Sequence, residues 1–365
     1  MAEITVHSPS HAQQRVRTLK LRRTWTGLAG HLVIWALALF FITPVVWMFF
    51  TALKADQDVF RFPPTLWPYD NLQVMVNGQA LPVYDVTIDD GQTQRLALLD
   101  VAEGHGDFVD PVRPTAEPVN LRMKFAEPVL TIDFQWHNFL NAMNRGVRPG
   151  LNVNFWTYSI NSLILAVSVI VGTLLSCTPV AYGFSRIRWP GRDLVFILVL
   201  STMMLPFQVT MIPIFLFFTE TLKWGDTLLP IIVPSFFANA FDIFLLRQFF
   251  RTIPEELLDA ARVDGASEFF IFLKIVLPLS KPILATITIF TFLWAWNLFL
   301  EPLLYLNNPE HFTLALGLQD YQSQHKVIWN QMMAASVVFT LPVIVAFFFA
   351  QRTFIEGIKL TGTKG

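Results

Sequence analysis

The 365-residue chain is 53% hydrophobic and only 15% charged, which is too apolar for a soluble protein of this size and typical of a protein with several membrane spans. Its formal net charge of -1 excludes binding to nucleic acid through overall charge, so the basic residues carry information only through their positions. The single cysteine, Cys177, excludes an intramolecular disulfide.

The N-terminal region combines a basic segment with an apolar one. Residues 1–27 are polar without apolar periodicity, which predicts a cytoplasmic tail at the membrane surface. Its basic residues include Arg15, Arg17, Lys20, Arg22 and Arg23. Residues 28–53 are long enough to cross about 30 Å of hydrocarbon at about 1.5 Å per residue, and no Ala-x-Ala-like site follows them. They are predicted to be an uncleaved first span.

A long connection, residues 54–154, follows this span. Asn77-Gly78 and Asp89-Asp90-Gly91 separate alternating polar and apolar segments and predict two β-hairpins. We therefore predict a small β-rich domain outside the membrane. Its acidic residues and histidine do not have the spacing of a calcium or zinc site, so no metal site is predicted. The residues concerned are Asp85, Asp89, Asp90, Glu103, His105 and Asp107.

Residues 155–352 contain five further apolar runs of spanning length, which brings the predicted number of spans to six. The runs are 158–184, 194–219, 228–246, 282–305 and about 329–350. The second to fourth spans contain Pro179, Pro206, Pro213, Pro230 and Pro234. Each proline frees a backbone carbonyl that needs a partner inside the bilayer. The predicted fold is therefore an all-α polytopic membrane protein with packed, bent helices, and residues 353–365 form a C-terminal tail.

The short loops determine the predicted orientation, because cytoplasmic loops carry an excess of Lys and Arg. Basic residues follow the second, fourth and sixth spans: Arg186, Arg188, Arg192, Arg247, Arg251, Arg262, Lys274, Lys281, Arg352, Lys359 and Lys364. The opposite loops contain Lys223 and Lys326. Both termini and the loop between spans four and five are therefore predicted to be cytoplasmic.

That cytoplasmic loop, residues 252–278, is predicted to form a helical hairpin. Thr252 and Glu255 have the spacing of a capping box, with Pro254 between them. Gly265 can adopt the left-handed conformation that ends a helix, and Ser267 can cap a second helix that runs to Pro278.

The hairpin also carries a resemblance. Asp259-Ala260-Ala261, then Gly265 and Ile275-Val276-Leu277-Pro278, resembles the EAA loop of ABC-importer permease subunits. The flanking sequences IPEELLDAARVDGAS and LPLSKP are similar to those of permeases for maltose and related sugars. Asp259 replaces the glutamate of the family pattern and is shorter by one methylene. The resemblance covers about residues 134–365, so residues 67–133 are predicted to be an insertion.

The resemblance implies a six-helix permease subunit of a binding-protein-dependent carbohydrate importer in a bacterial or archaeal cytoplasmic membrane. It implies a second permease subunit in a heterodimer, an ATP-binding cassette ATPase dimer, and an extracytoplasmic solute-binding protein. The chain itself has no phosphate-binding glycine loop and no catalytic constellation. No cofactor is therefore expected on this chain, and ATP and Mg would be bound by the ATPase.

The resemblance implies that the cytoplasmic loop contains the coupling helix, which contacts the ATPase and transmits the closure of the ATPase to the spans. The residues expected to take part are Glu255, Glu256, Asp259, Ala260, Ala261, Asp264, Gly265 and Pro278. The insertion has two open interpretations, which are a folded spacer and a docking surface for the binding protein.

Polar side chains within the spans are candidates for the substrate path, because the bilayer disfavours them facing lipid. The candidates are Gln208, Asn297, Glu301, Asn161 and Gln331. Trp294 and Trp296 lie near them in sequence and could stack on a sugar face. The alternative for each amide is a hydrogen bond between helices.

The sequence bears on three other functions. A phosphorylated polyol such as glycerol phosphate remains an alternative substrate, because its importers resemble the same family. An ion-driven secondary transporter should show mid-span acidic residues or histidines and internal repeats, which the sequence does not favour. A membrane-embedded enzyme lacks catalytic groups.

Overall fold

The computed structural model describes residues 11–87, 92–113, 117–144, 153–321 and 328–362. The predicted Asp89-Asp90-Gly91 turn and the outer ends of both predicted tails lie outside these residues. The helices are α1 (His11–Ala52), α2 (His137–Asn144), α3 (Phe155–Ser185), α4 (Arg192–Ser201), α5 (Phe207–Leu216), α6 (Leu229–Ile232), α7 (Ala240–Phe250), α8 (Glu255–Val263), α9 (Glu268–Ile271), α10 (Leu277–Leu279), α11 (Lys281–Trp296), α12 (Leu300–Tyr305), α13 (Leu314–Gly317) and α14 (Trp329–Gly362). The strands are β1 (Tyr69–Asn71), β2 (Gln73–Val76), β3 (Gln79–Thr87), β4 (Thr93–Ala102), β5 (His105–Val109), β6 (Val119–Arg122), β7 (Ala126–Pro128) and β8 (Leu130–Ile132).

Four helical segments in the described ranges are long and apolar enough to cross a membrane, or six if two bent helix pairs each count as one span. The four are Gly27–Ala52, Phe155–Ser185, Leu229–Phe250 and Trp329–Phe349. The bent pairs are Arg192–Met204 with Phe207–Thr221, at 91°, and Glu268–Leu279 with Lys281–Trp296, at 76°. The chain is therefore mostly helical with several candidate spans.

The predicted third and fifth spans are interrupted in the structure. The third divides at Leu205-Pro206 because proline lacks the amide hydrogen that would continue the helix. In the fifth, α11 has 16 residues and is therefore about 24 Å long, and a break at 297–299 separates it from α12. Helix α1 begins at His11, so it extends into the segment predicted as a tail.

Helix α3 lies at the centre of the helical part, where it contacts α7, α11 and the turn Val233–Phe237. Helix α3 approaches the turn closely at Gly172. A Cβ atom added there would lie 2.2 Å from Ser235 Oγ and 2.8 Å from the Phe236 ring. Only glycine therefore allows α3 to pack this closely against the turn.

The insertion contains two antiparallel sheets. Strands β1 and β8 form a two-stranded ladder with Tyr69 opposite Ile132, so the two ends of the insertion lie side by side. The second sheet has the order β2-β3-β4-β5-β6, and β7 pairs with β3. The β-rich insertion predicted from the sequence is thus present.

Two tight turns organise the larger sheet. Asn77 and Gly78 both have positive φ, as predicted for the turn between β2 and β3. Glu103 and Gly104 form an equivalent turn between β4 and β5, which the sequence analysis did not identify. Alternate residues of β4 pack into separate small clusters: Leu96 and Leu98 belong to one and Ala97 to the other. The sheet therefore buries side chains on both faces.

Two of the aspartates considered for metal binding have protein partners. Asp85 forms an ion pair with Arg95 at 3.1 Å, and Asp107 accepts a hydrogen bond from Asn120 at 2.6 Å. Both carboxylates thus crosslink neighbouring strands.

The insertion joins the helices at the C-terminal end of α1. The Asn138 side chain donates to the Ala52 and Lys54 carbonyls at 2.9 and 3.0 Å, and Asn330 donates to the same Lys54 carbonyl at 3.1 Å. Asp58 is fully buried; it forms an ion pair with Arg61, with 2.7 Å between Arg61 Nε and Asp58 Oδ1, and it accepts a hydrogen bond from the Tyr69 amide at 3.2 Å. These bonds fix α1, α2, α14 and the base of the insertion to one another.

Replacing Gly172 by Ala should destabilise the protein by about 1–3 kcal/mol, because the new methyl group overpacks the contact with Ser235 and Phe236. The measurement is the Tm of the purified protein in detergent. Gly183→Ala is the matched control, since it lies on the same helix with no atom within 4 Å of the added Cβ. Equal Tm values for the two variants would contradict the close approach.

Replacing residues 72–129 by Asn-Gly should leave a folded membrane part, because Asn71 and Leu130 are register partners that a two-residue turn can join. Its Tm is expected to stay close to that of the full chain. A second deletion that also removes β1 and β8 loses the Tyr69 to Asp58 and Gln57 to Asp70 hydrogen bonds and should have a lower Tm. Loss of membrane insertion in the first variant would show that the insertion is not an independent unit.

Candidate functional site

A cavity of about 630 Å³ lies between α3, α7, α11 and the segment that precedes α7. Its lining residues are Val169, Thr173, Ile231, Pro234, Ser235, Asn239, Phe241, Asp242, Phe290, Thr291, Leu293 and Trp294. Most of the wall is apolar, and a few polar groups converge in it. Solute-binding sites in proteins have this composition.

The polar side of the cavity is built by the break before α7. The Asn239 side chain caps α7 by accepting a hydrogen bond from the Asp242 amide at 2.9 Å. The same side chain donates to Asp242 Oδ2 at 2.6 Å. These two bonds hold the Asp242 carboxylate, which is only 7% exposed, in a fixed orientation at the cavity wall.

The break requires an uncommon backbone conformation at Ala238, which has φ of 60° and ψ of 157°. This region of backbone space is normally restricted to glycine. Ser176 on α3 holds the segment in place: its hydroxyl oxygen accepts from the Ala238 amide at 3.1 Å, and its single hydrogen faces both the Gly172 carbonyl at 2.8 Å and the Ser235 carbonyl at 3.0 Å. The strained residue thus lies beside the cavity and is supported by α3.

Three aromatic side chains, Phe241, Phe290 and Trp294, line the cavity and are each about half exposed, at 45%, 41% and 50%. Together with the hydroxyls of Thr173 and Thr291 they offer flat apolar faces next to hydrogen-bonding groups. A molecule with an apolar ring face and a polar rim matches this arrangement.

The five residues predicted for the substrate path do not line this cavity. Asn161 donates to the Glu310 and Phe312 carbonyls at 2.8 and 3.0 Å, and Asn297 donates to the Leu293 carbonyl of its own helix at 2.8 Å. Both amides therefore satisfy backbone groups.

The other three predicted path residues also lie elsewhere. Gln331 is buried, Gln208 is exposed near the start of α5, and Glu301 is half-buried in the first turn of α12. Of the aromatic residues named with them, Trp294 lines the cavity, whereas the Trp296 indole donates to the Phe339 carbonyl at 3.1 Å.

The cavity residues Asn239 and Asp242 were missed by the sequence analysis. The available signal was an Asn-x-x-Asp spacing, typical of a helix start, inside an apolar run. Such a start within a span indicates a broken helix, whose end can bind solutes.

A second candidate site is the loop at residues 252–278. Helix α8 ends at Val263, and Gly265 follows the cap residue with a φ of +85°, the predicted left-handed conformation; the Ala266 amide donates back to the Ala261 carbonyl at 2.9 Å. Ser267 caps the following helix by accepting from the Phe270 amide at 3.3 Å. The chain then stays helical to Leu279 through a π-helical turn at Phe272–Val276.

The predicted capping box at the start of α8 is wrong. Thr252 donates its hydroxyl to the Phe249 carbonyl at 2.7 Å, and Pro254 occupies the cap position without a side-chain bond. The Thr252 hydroxyl therefore binds the end of α7. Helix α8 instead begins directly after Pro254, whose φ is fixed, and the two glutamates in its first turn interact favourably with the positive end of the helix dipole.

A network of charged groups ties this loop to α3. Arg262 donates to Asp259 at 2.7 Å and to Glu268 at 2.8 Å, and the Tyr182 hydroxyl donates to the other Glu268 oxygen at 2.5 Å. The pKa of Arg262 is raised, mainly by the hydrogen bond to Glu268. Partial burial lowers this pKa, and the hydrogen bond to Asp259 raises it further. The guanidinium therefore stays charged and joins both halves of the hairpin.

The residues predicted for coupling form an exposed surface on this loop. Leu258 is fully buried against the cluster that contains Phe250 and Ile271, which anchors one face of α8. Ala261 is half-buried, and the other predicted residues are exposed: Glu255, Glu256, Asp259, Ala260, Asp264, Gly265 and Pro278. Val263 adds an apolar side chain that is 87% exposed.

The end of α3 also supports the loop. The Arg186 guanidinium donates to the Phe250 carbonyl, at 3.1 Å from Nε, and to the Ile253 carbonyl. The turn between α7 and α8 therefore rests on α3.

Two known proteins similar to this chain are permease proteins of transport systems. The permease protein AraQ of the arabinooligosaccharides transport system of Halalkalibacterium halodurans is 36% identical over 255 residues, which is 69% of this chain and 87% of AraQ. The permease protein UgpE of the sn-glycerol-3-phosphate transport system of Salmonella typhimurium is 37% identical over 214 residues, covering 57% of this chain and 75% of UgpE.

The fold resembles a chain in the crystal structure of a bacterial ABC transporter involved in the import of the acidic polysaccharide alginate. The TM-score is 0.61 with 20% sequence identity, and the match covers 95% of this chain and 99% of that chain. Residues 168–359 match the family model for binding-protein-dependent transport system inner membrane components. The chain belongs to this family of membrane transport components.

Proposed function

We propose that this chain is the membrane-spanning permease subunit of an ATP-driven, binding-protein-dependent importer that translocates a sugar or oligosaccharide by alternating access. The observation that carries the substrate class is the cavity, where Phe241, Phe290 and Trp294 lie beside hydroxyl and amide groups. Sugars combine apolar ring faces with hydroxyl rims, so both kinds of group can be used. The similarity to AraQ, a permease for arabinooligosaccharides, supports the same class.

A phosphorylated polyol is the second candidate, because UgpE, the permease protein of an sn-glycerol-3-phosphate transport system, is 37% identical. Phosphate groups are usually bound by Arg, Lys or helix N-termini. The described lining residues of the cavity include no Lys, Arg or His. This composition favours an uncharged substrate.

We further propose six spans with both termini in the cytoplasm. Three of the connections predicted to be extracytoplasmic meet at one end of the bundle. The contacts are Asn330 to the Lys54 carbonyl, Asn161 to the Glu310 carbonyl, and the Asn307 amide to Asp226. The insertion emerges at this end and would therefore face the outside.

The connections predicted to be cytoplasmic meet at the other end. The contacts are Arg186 to the Phe250 carbonyl, Tyr182 to Glu268, and Arg247 to Asp193. This sorting of contacts supports the topology derived from the positive-inside rule.

The energy source is proposed to be a partner ATPase dimer, which would bind ATP and Mg. The exposed surface of α8, with acidic residues around Ala260, would contact that ATPase, and a second permease subunit would complete the translocation path as a heterodimer. An extracytoplasmic binding protein would deliver the substrate. Closure of the ATPase would move the loop, and the Arg262 network would pass that movement to α3.

Gly265→Val should abolish sugar-stimulated ATPase activity of the assembled transporter, because a β-branched residue cannot easily adopt a φ of +85°. The measurement is ATP hydrolysis by the reconstituted complex with and without loaded binding protein. Gly265→Asn is the matched control, since asparagine tolerates the left-handed region and an added Cβ has no atom within 4 Å. Normal coupling in the valine variant would refute the role of the loop.

Glu268→Gln should weaken the attachment of the loop to α3 by about 1 kcal/mol, since the pair with Arg262 is partly exposed. We expect faster hydrogen exchange in α8 and weaker coupling of ATP hydrolysis to sugar. Arg188→Gln is the control, because its 3.5 Å pair with Glu255 is largely exposed. Similar exchange rates in α8 for Glu268→Gln and the unmodified protein would argue against the network.

A further inference from the structure

We propose that Asp242 makes the cavity selective for uncharged polyhydroxy substrates and against phosphorylated ones. This inference rests on the proposed function and adds a residue that determines specificity. The charge of one carboxylate would separate saccharides from anionic solutes of similar size.

The placement of Asp242 supports this role. Its side chain lines the cavity near the middle of the candidate span Leu229–Phe250. It is the only charged residue among the twelve described lining residues. An acidic side chain that faces a cavity within a span is more often functional than structural.

The basic residue on the same helix does not neutralise this charge through any described contact. Arg247 lies more than one turn further along α7, where it donates to the Phe184 carbonyl at 3.1 Å and contacts Asp193 at 3.5 Å. Its guanidinium also lies 4.0 Å from the centre of the Phe196 ring. These partners hold it towards the end of α7 away from Asp242.

The start of α7 would otherwise attract anions, because the N-terminus of a helix carries a partial positive charge. Asp242 lies in the first turn of this 11-residue helix and offsets that charge. A phosphate group entering the cavity would meet the carboxylate at the position where a helix start usually binds it.

The same carboxylate suits a saccharide. A carboxylate has two oxygens and about four acceptor positions, and Asn239 occupies one of them on Oδ2. The remaining acceptor positions can take hydrogen bonds from neighbouring hydroxyls of a sugar whose ring face lies on Trp294 or Phe290.

The test measures the electrostatic potential of the cavity without requiring the natural substrate. The complete transporter is prepared with cysteine-free partner subunits and with Cys177→Ala and Thr291→Cys in this chain. Its reaction rates with the cationic reagent 2-(trimethylammonium)ethyl methanethiosulfonate and the anionic reagent 2-sulfonatoethyl methanethiosulfonate are compared. We expect the cation to be preferred, and Asp242→Asn to lower the ratio of the two rates by at least about tenfold.

Asp242→Asn is nearly isosteric and keeps an oxygen that can accept from Asn239, so it tests the charge alone. Glu301→Gln is the matched control, because it removes a half-buried carboxylate outside the cavity lining and should leave the ratio unchanged. An unchanged ratio in Asp242→Asn, or an equal fall in both variants, would overturn the proposal. If Thr291→Cys does not fold, Phe290→Cys on the same wall serves instead, and lack of reaction at both positions would also overturn it.

Uptake of arabinotriose and of sn-glycerol-3-phosphate separates this inference from the proposed function. With Asp242→Asn we expect the KM for arabinotriose to rise about tenfold, as for loss of a hydrogen bond to a charged group. If the unmodified transporter does not move arabinotriose while the rate ratio still falls with Asp242→Asn, the proposed substrate class fails and the charge filter stands. If arabinotriose is transported and Asp242→Asn changes neither the rate ratio nor KM, the inference about Asp242 fails and the proposed function stands.

Discussion

The structure depends on the satisfaction of backbone groups where helices break inside an apolar environment. In a bilayer an unpaired amide or carbonyl costs several kcal/mol, and water is not available to replace the missing bond. Here side chains supply the missing bonds: Ser176 binds the segment before α7, and Asn138 and Asn330 bind the carbonyl of Lys54 at the end of α1. The positions of these side chains determine where helices can stop and which helices must meet.

This constraint also explains how the cavity forms. The chain before α7 stops being helical at Ala238, and Asn239 starts a new helix there. A break of this kind leaves space between α3, α7 and α11 and places the polar start of α7 at the edge of the cavity. The same feature that creates unsatisfied groups thus creates space and hydrogen-bonding capacity at one point.

Local sequence signals predicted local structure well. The φ of Gly265, the cap at Ser267 and the Asn77-Gly78 turn each follow from one or two residues whose conformational preferences dominate. The capping role of Thr252 was wrong because its hydroxyl donates to a free carbonyl at the end of α7 and does not accept from a free amide at the start of α8, and only the fold decides between these partners.

The candidate site was harder to predict. An amide within an apolar run has the same sequence signature whether it contacts a substrate or a carbonyl of another helix, as Asn161 does. The difference depends on which loop returns to its vicinity, about 150 residues later in this case. The 91° bend of the third predicted span likewise depends on neighbouring helices, because a proline only permits a break and does not fix its angle.

Helix α3 has a mechanical consequence. Thr173 lines the cavity and Tyr182 binds Glu268 in the loop, and both belong to the same uninterrupted helix. Nine residues of α-helix separate them, a length of about 14 Å. Pro179 lies between them and removes one backbone hydrogen bond, but α3 continues through it, so a single helical segment joins the two sites. A displacement of Tyr182 would therefore be passed to Thr173 at the cavity wall along the backbone of α3. No chain of side-chain rearrangements is needed between the two residues.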